Sequence, residues 1–511
     1  MIERLRGPLE GFLWAVLILL LPITSFPLVS KLTGGTMVAP ASLLPLALLL
    51  LIATLPYLLR RGGLPRHVLP VLGLVLATVF STCWGLMHTV PIFRDVDRLR
   101  NAISGLVTLA IGLSFYLVAV TWVDSSQKLR FIYRWVNLSG CILIAWSLIQ
   151  FLVWRISATY PDWMFTFQRL FSTNGMLYPQ RVNAFAYEPS WLGHQLVMLF
   201  LPYWLSATVN RTSAFTRRFL GLSLENALMV AGIGVLVVSL ARSALVSFLL
   251  ACAYLFFLGA RALVQWSHKR ILSRVTEPDH THISAGWLTL AIWSALVLVF
   301  LLALGGGVFL LTRIDPRMRD LFTLLQRQLS FEQLANKLIF GERVAFWQAG
   351  LAVFAQHPFL GVGLNSAGFY FPEVLTPAAW SLIEPFKLYY SSALPNTLSL
   401  WVRLLSETGA LGFSCFVSWL ALMWMTVPYL RRSQDPVLRT VALAGAFVLA
   451  SLLMEGMSVD TFAFPYYWLS LGWLTAAFRI QSRATQNITR ESPQGETGAG
   501  AGAGQAIGAS G

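Results

Sequence analysis

Apolar runs long enough to cross a lipid bilayer recur along this chain, and they decide what it can fold into. A helix needs about 20 apolar residues to span roughly 30 Å of hydrocarbon. Such runs fall near residues 11–30, 38–59, 68–87, 103–123, 131–154 and 190–209. The run 227–257 is too long for one span and is broken by Ser239-Leu240-Ala241-Arg242-Ser243, which predicts two shorter helices meeting at a polar turn. Further spans are expected near 287–311, 411–430, 437–454 and 462–478. Inside hydrocarbon each backbone polar group needs a partner within the segment, so these runs must be helices. The expectation is an all-α polytopic membrane protein with about twelve transmembrane helices.

Charge is sparse and placed to match. Of 511 residues, 56% are hydrophobic and 12% charged, about half the charge of a soluble domain. The net charge of +15 comes from Lys and Arg in short loops: 1–6, 60–66, 128–134, 211–218, 261–274, 431–439 and 479–490. That pattern marks the cytoplasmic face and puts both termini there. It also argues against nucleic acid as a partner, since no soluble basic face with interleaved aromatics exists. The segment before residue 30 resembles a signal peptide but lacks a small-x-small cleavage site, so a retained first helix is expected. Cys83, Cys141, Cys252 and Cys415 all lie in apolar runs without CxxC spacing and read as core residues.

Four regions follow: an N-terminal bundle (1–311), a large extracytoplasmic helical loop (312–408) between the ninth and tenth spans, C-terminal spans (409–480), and a Gly/Ala-rich tail (481–511) expected to be a disordered cytoplasmic segment. The loops 88–101, 155–188 and 455–461 and the Arg242 break join the large loop on the outer side. No Walker A or HExxH motif is present, and Gly361-x-Gly363 lies between helical segments rather than after a strand. A substrate on that side must therefore arrive already activated, as a lipid-linked diphosphate sugar does.

The outer face carries groups suited to such a substrate. Arg181, Arg242, Arg343 and Arg403 offer planar donor forks that match phosphate oxygens. Arg242 interrupts an apolar pair, at a cost of roughly 2.5–3.5 kcal/mol if buried at mid-membrane; the alternative is a short turn whose Arg snorkels to the interface. Arg343 begins an amphipathic segment, where a surface ion pair is equally open. Glu188 precedes Pro189 and is either a carboxylate at a helix start or a general base for a sugar hydroxyl. Arg403 and Glu407, four apart, suit an ion pair on one helix face. His194 reads as a histidine satisfied inside its helix, His357 as a helix-ending residue or a ligand, and Asp279-His280-Thr281-His282 as a solvated turn.

Arg343…Trp347…His357-Pro358-Phe359-Leu360-Gly361-Val362-Gly363, then Asn396-Thr397-Leu398…Glu407-Thr408-Gly409-Ala410-Leu411-Gly412, resembles the signature of the O-antigen ligase/polymerase superfamily. Arg181-x-Asn183…Glu188-Pro189-Ser190 and the Ser239–Ser243 break are similar to family elements upstream. The resemblance spans about residues 130–480. It implies a GT-C-like inner-membrane glycosyltransferase with no cofactor or metal. Its partners would be an undecaprenyl-diphosphate-linked oligosaccharide and the bilayer, with a chain-length regulator and a flippase of the same pathway. It implies Glu188, Arg242 and Arg343 as catalytic, and Arg181, Asn183, His357, Gly361, Gly363, Asn396, Arg403 and Glu407 as substrate-binding. Ligases of the family carry a His before the Asn; Pro395 stands there, and proline cannot accept a proton, which favours a polymerase. A flippase or exporter of lipid-linked sugars is the reading from another class.

Overall fold

The computed structural model describes residues 2–34, 37–60, 62–216, 218, 221–272 and 340–491, together with 290, 292–298, 301–302, 305–306, 309 and 312. The Asp279–His282 turn and the Gly/Ala-rich tail lie outside the described residues, as does much of the span expected at 287–311.

The described residues form helices, with only isolated bridges from Ser25 to Ala39 and Ser172. In order, the main ones are α1 (Ile2–Leu19), α2 (Pro27–Leu32), α3 (Leu43–Leu59), α4 (Arg66–Met87), α5 (Arg98–Trp122), α6 (Ser126–Ser157), α7 (Asp162–Phe171), α8 (189–209), α9 (Leu224–Ser239), α10 (Arg242–Leu272), α11 (Gly341–Gln356), α12 (Leu400–Arg431), α13 (Pro436–Glu455) and α14 (Pro465–Glu491), with short turns of helix at Phe371–Val374 and Ile383–Lys387 between α11 and α12. Local signals set many of the starts. The Asp97 carboxylate accepts from Arg100 N at 2.9 Å at the head of α5, and Asp435 accepts from Val437 N at 2.8 Å at the head of α13. Proline opens α2, α8, α13 and α14, where no amide is needed.

Among the described residues, six helices are long and apolar enough to cross a membrane: α4, α5, α6, α10, α12 and α13. Residues 7–19 of α1, together with α3 and α9, are shorter apolar helices. The difference from the expected run lengths has local causes. The run 11–30 splits because Pro22 and Pro27 turn the chain between α1 and α2. α3 and α8 each carry a π-helical turn, at Leu50–Thr54 and Leu196–Phe200, which divides the regular α pattern. α12 begins at Leu400, inside the stretch expected as loop. Gly409 (φ 64°, ψ −169°) kinks it, and only the apolar part after the kink was legible as a span.

Hydrogen bonds between distant segments define two ends of the bundle. At one end Tyr187 N donates to Thr24 Oγ1, Arg181 Nε to Ser239 O, and Asn365 Nδ2 to Asn101 O. At the other, Trp122 Nε1 donates to Glu10 and Arg479 Nη2 to Val123 O. α13 runs through the middle with 83% of its apolar window buried, whereas α10 shows 28% buried and faces outward. Trp14, Trp204, Trp419 and Trp468 fill the core. Leu69, Leu76 and Met87 of α4 are exposed, as an apolar surrounding requires.

Candidate active site

The first end is assembled around a docked turn. After α11, His357-Pro358-Phe359-Leu360-Gly361-Val362-Gly363 reverses the chain onto the kink of α12. Val362 N donates to Ser406 O at 3.0 Å, Gly363 N to Glu407 O at 2.9 Å, and Ala410 N to Pro358 O at 2.8 Å. The approach is too close for side chains. A Cβ on Gly361 (φ 67°) would lie 2.5 Å from Glu407 C, and one on Gly409 (φ 64°) would lie 2.3 Å from Phe359 O. The His-Pro-x-x-Gly-x-Gly turn and the Glu-Thr-Gly element, 46 positions apart, are therefore halves of one backbone joint. Gly361 and Gly363 act in that joint.

The joint fixes Arg403, Glu407 and their surroundings. Arg403 Nε donates to Glu407 Oε2 at 2.8 Å, Nη1 to Asp460 O at 2.8 Å and Nη2 to Asn365 Oδ1 at 2.9 Å, over the Phe462 ring. Both side chains are buried, so the four-residue spacing produces an internal ion pair. In the loop after α13, Arg343 Nη1 donates to Ser458 O at 2.8 Å, so residues 458–460 hold two guanidinium groups. Loss of water pushes the Asp460 carboxyl up, and Arg403 and then Arg343 draw it back part of the way.

A second group of charges faces Arg343. Glu342 Oε1 accepts from Glu384 N at 3.2 Å. The Glu384 carboxyl is pushed up by desolvation and then by Glu342 and Glu188, while Lys387 and Arg343 oppose the shift. Glu188 caps α8 in an extended conformation and accepts a hydrogen bond from Ser190 Oγ. The Tyr178 hydroxyl is pushed up by burial and by Glu188, against Arg181. Arg181 in turn donates to Ser239 O at 3.1 Å, beside the turn that starts α10. Arg242 is the first residue of α10 and half-buried, in a turn at the end of the bundle rather than at mid-membrane.

Sequence reasoning placed Arg181, Glu188, Arg242, Arg343, Arg403 and Glu407 at one end; the structure has Arg181, Glu188, Arg242 and Arg343 there, with Arg403 and Glu407 buried behind them as an internal ion pair rather than facing a substrate. Three further candidates stand differently. Asn183 is fully buried, donating Nδ2 to Met176 O at 3.1 Å and Ala186 O at 3.0 Å, so it shapes its loop instead of facing a substrate. Asn396 is exposed and closes a local turn with Leu398 N at 3.3 Å. His357 is exposed at the end of α11 against Tyr370; desolvation and His88 hold its imidazole below the usual value. Sequence reasoning missed Glu455, Asp460, Glu384 and Tyr178. Glu455 ends an apolar helix and carried a signal, since a carboxylate in such a run marks function by default. It accepts from His194 Nδ1 at 2.9 Å and Ser247 Oγ at 3.2 Å, tying α13 to α8 and α10.

Residues 227–417 match the family model described as O-antigen ligase. The matched stretch contains the α9–α10 turn with Arg242, then Arg343, the docked turn, Asn396, Arg403 and Glu407. Arg181 and Glu188 precede it, and Glu455 and Asp460 follow it. The match supports the O-antigen ligase/polymerase superfamily and an enzymatic, glycosyltransferase-like role, without separating ligase from polymerase. No curated protein matches the chain.

Proposed function

We propose that this chain is a polymerase of lipid-linked saccharide repeat units, acting at the outer face of the bacterial inner membrane. On this reading the bundle has about twelve spans with both termini in the cytoplasm, and the charged mouth faces outward. The observation that carries the proposal is the gathering of Arg181, Arg242 and Arg343 with Glu188 at one end of the bundle, in front of the buried Arg403–Glu407 pair.

The substrate is an undecaprenyl-diphosphate-linked oligosaccharide. A hydroxyl oxygen at the non-reducing end of one unit attacks the anomeric carbon of the glycan on another. The bond from that carbon to the phosphate oxygen breaks, and the electron pair leaves on the diphosphate. Glu188 takes the hydroxyl proton, a role worth roughly 10²–10⁴-fold. The guanidinium groups receive the charge that develops on the leaving group. Arg242 fits this role by position. A cation at a helix N-terminus opposes the macrodipole, but an anion bound there is attracted by both.

Pro395 in the place of the ligase His favours the polymerase over transfer to lipid A core or protein. The ligase remains the second reading because the matched family model is described by that name. Purified protein in liposomes with one defined lipid-linked repeat unit tests the proposal. A ladder of longer lipid-linked glycans is expected, and Glu188→Gln and Arg343→Ala should each reduce it by about 10²-fold or more. Glycan appearing only on added lipid A core would establish the ligase. Labelled substrate crossing the bilayer with its glycosidic bonds intact would establish a flippase.

A further inference from the structure

At the end of the bundle opposite the candidate active site, a cavity of about 470 Å³ opens between α1, α3, the α5–α6 turn and α14. Arg60, Lys128, Arg479 and Arg483 line it, with Glu10 and Asp124 as the carboxylates, so four cations face two anions and the wall carries +2. Both carboxylates are engaged by the wall itself. Asp124 pairs with Lys128 at 2.7 Å, and Glu10 accepts from Trp122 Nε1 at 3.1 Å. The Lys128 ammonium also sits 4.8 Å from the Trp122 ring centre.

Arg479 is the unusual member. It is only 8% exposed, on a helix whose upper turns are apolar core. Nη1 donates to Tyr57 Oη at 3.2 Å and Nη2 to Val123 O at 2.7 Å, but Nε is a buried donor with no acceptor. A buried guanidinium with an unmet donor, on the wall of a net-positive cavity, is what a bound phosphate would complete. Tyr57 and Trp122 are the aromatic types that settle at headgroup level. At the same height Phe12 of α1 and Leu55 and Leu59 of α3 are exposed, so the cavity opens where acyl chains begin.

We propose that this cavity binds a phosphate group, and that the phosphate is the head group of an anionic phospholipid. Basic recesses between helices at the cytoplasmic end suit such lipids. The site is separate from the outer mouth and does not depend on the reaction assigned there.

Native mass spectrometry of the detergent-solubilised full chain tests it, with dioleoylphosphatidylglycerol, dioleoylphosphatidylcholine and inorganic phosphate as probes. Phosphatidylglycerol adducts are expected to survive activation at about tenfold lower lipid concentration than phosphatidylcholine adducts. The rim variant Arg60→Ala/Arg483→Ala avoids the buried Arg479, and it should erase that preference while its elution volume and melting temperature stay unchanged. If inorganic phosphate binds alone and displaces the lipid adducts at millimolar concentration, the lipid assignment is overturned and a soluble anion takes its place. If both lipids are retained equally, the rim variant changes nothing and phosphate does not bind, the whole proposal fails.

Discussion

Glu225 and Glu455 are both fully buried carboxylates in an apolar bundle, one at each end, and they are treated in opposite ways. Glu225 is saturated. It accepts from Asn137 Nδ2 at 2.8 Å, Ala214 N at 2.8 Å, Ser213 Oγ at 2.8 Å and Tyr203 Oη at 3.2 Å. Asn137 then accepts from Trp204 Nε1 at 3.0 Å, so one carboxylate organises α6, α8, α9 and the loop before α9. Glu455 has His194 and Ser247, while His194 Nε2 and both amide atoms of Gln195 are buried without partners. Each such atom costs about 1–3 kcal/mol. The saturated network belongs to the end away from the charged mouth. The incomplete one lies directly behind the mouth that we assign to chemistry, on α8, the helix that Glu188 caps, and it anchors the segment whose carbonyls hold Arg343 and Arg403.

Substituting the two carboxylates is the strongest way to break this contrast. Glu225→Ala strands at least three buried donors and should cost about 3 kcal/mol or more. Fluorescence-detected size exclusion should show most of the protein lost, with normal activity per folded molecule in what survives. Glu455→Gln keeps an acceptor for His194 and should leave elution and melting temperature nearly intact. Its turnover should fall about tenfold or more, because a neutral amide holds His194 and Ser247 less firmly and the segment presenting both arginines loses its exact placement. Equal destabilisation by the two substitutions, with full activity per folded Glu455→Gln molecule, would erase the distinction.

Much of the architecture was legible because membrane insertion writes it in long, composition-driven signals. The break at Ser239–Ser243 and the Arg403/Glu407 spacing both depend on local pattern, and each reappears as geometry. What was not legible depends on contacts between distant segments. Nothing near Gly361 says that its partner is the carbonyl of Glu407, because the reason for the glycine lies across a joint. Asn183 sits in a motif-like run, yet its amide is consumed by its own loop. Glu455 falls at the start of the loop expected at 455–461, and nothing local says that α8 and α10 pack on it. The start of α12 was hidden by Gly409, whose conformation interrupts the helix where the apolar run begins.

The glycines give a sharper and smaller version of the same contrast. Gly409→Ala puts a Cβ against Phe359 O in a left-handed conformation, and a cost of about 1–3 kcal/mol is expected. Gly234→Ala, inside α9 with open space around the new methyl, should instead be neutral or stabilising by about 0.5–1 kcal/mol. Thermal melts of the two variants in one detergent separate them by sign. A neutral Gly409→Ala would mean that the docked turn and α12 are not held in register by that joint.

The smallest effect tests the electrostatics of the mouth alone. Glu384 lies outside the spans, and its carboxyl is raised by lost hydration and by the neighbouring Glu342 and Glu188. A carboxyl that is raised on folding holds its proton more strongly in the folded chain. Its contribution to stability is complete below the unfolded value near 4.5 and is lost as pH rises through the folded value. At pH 7 the ionised Glu384 therefore works against the fold, and Glu384→Gln should raise the melting temperature slightly. Below pH 4 the variant and the parent should melt together. A lowered melting temperature at pH 7 that recovers on acidification would instead mean that Arg343 dominates over Glu342 and Glu188 at this carboxyl. Arg343 would then be engaged by Glu384 in the folded chain, and would be a poorer receiver for a departing diphosphate than Arg181 or Arg242.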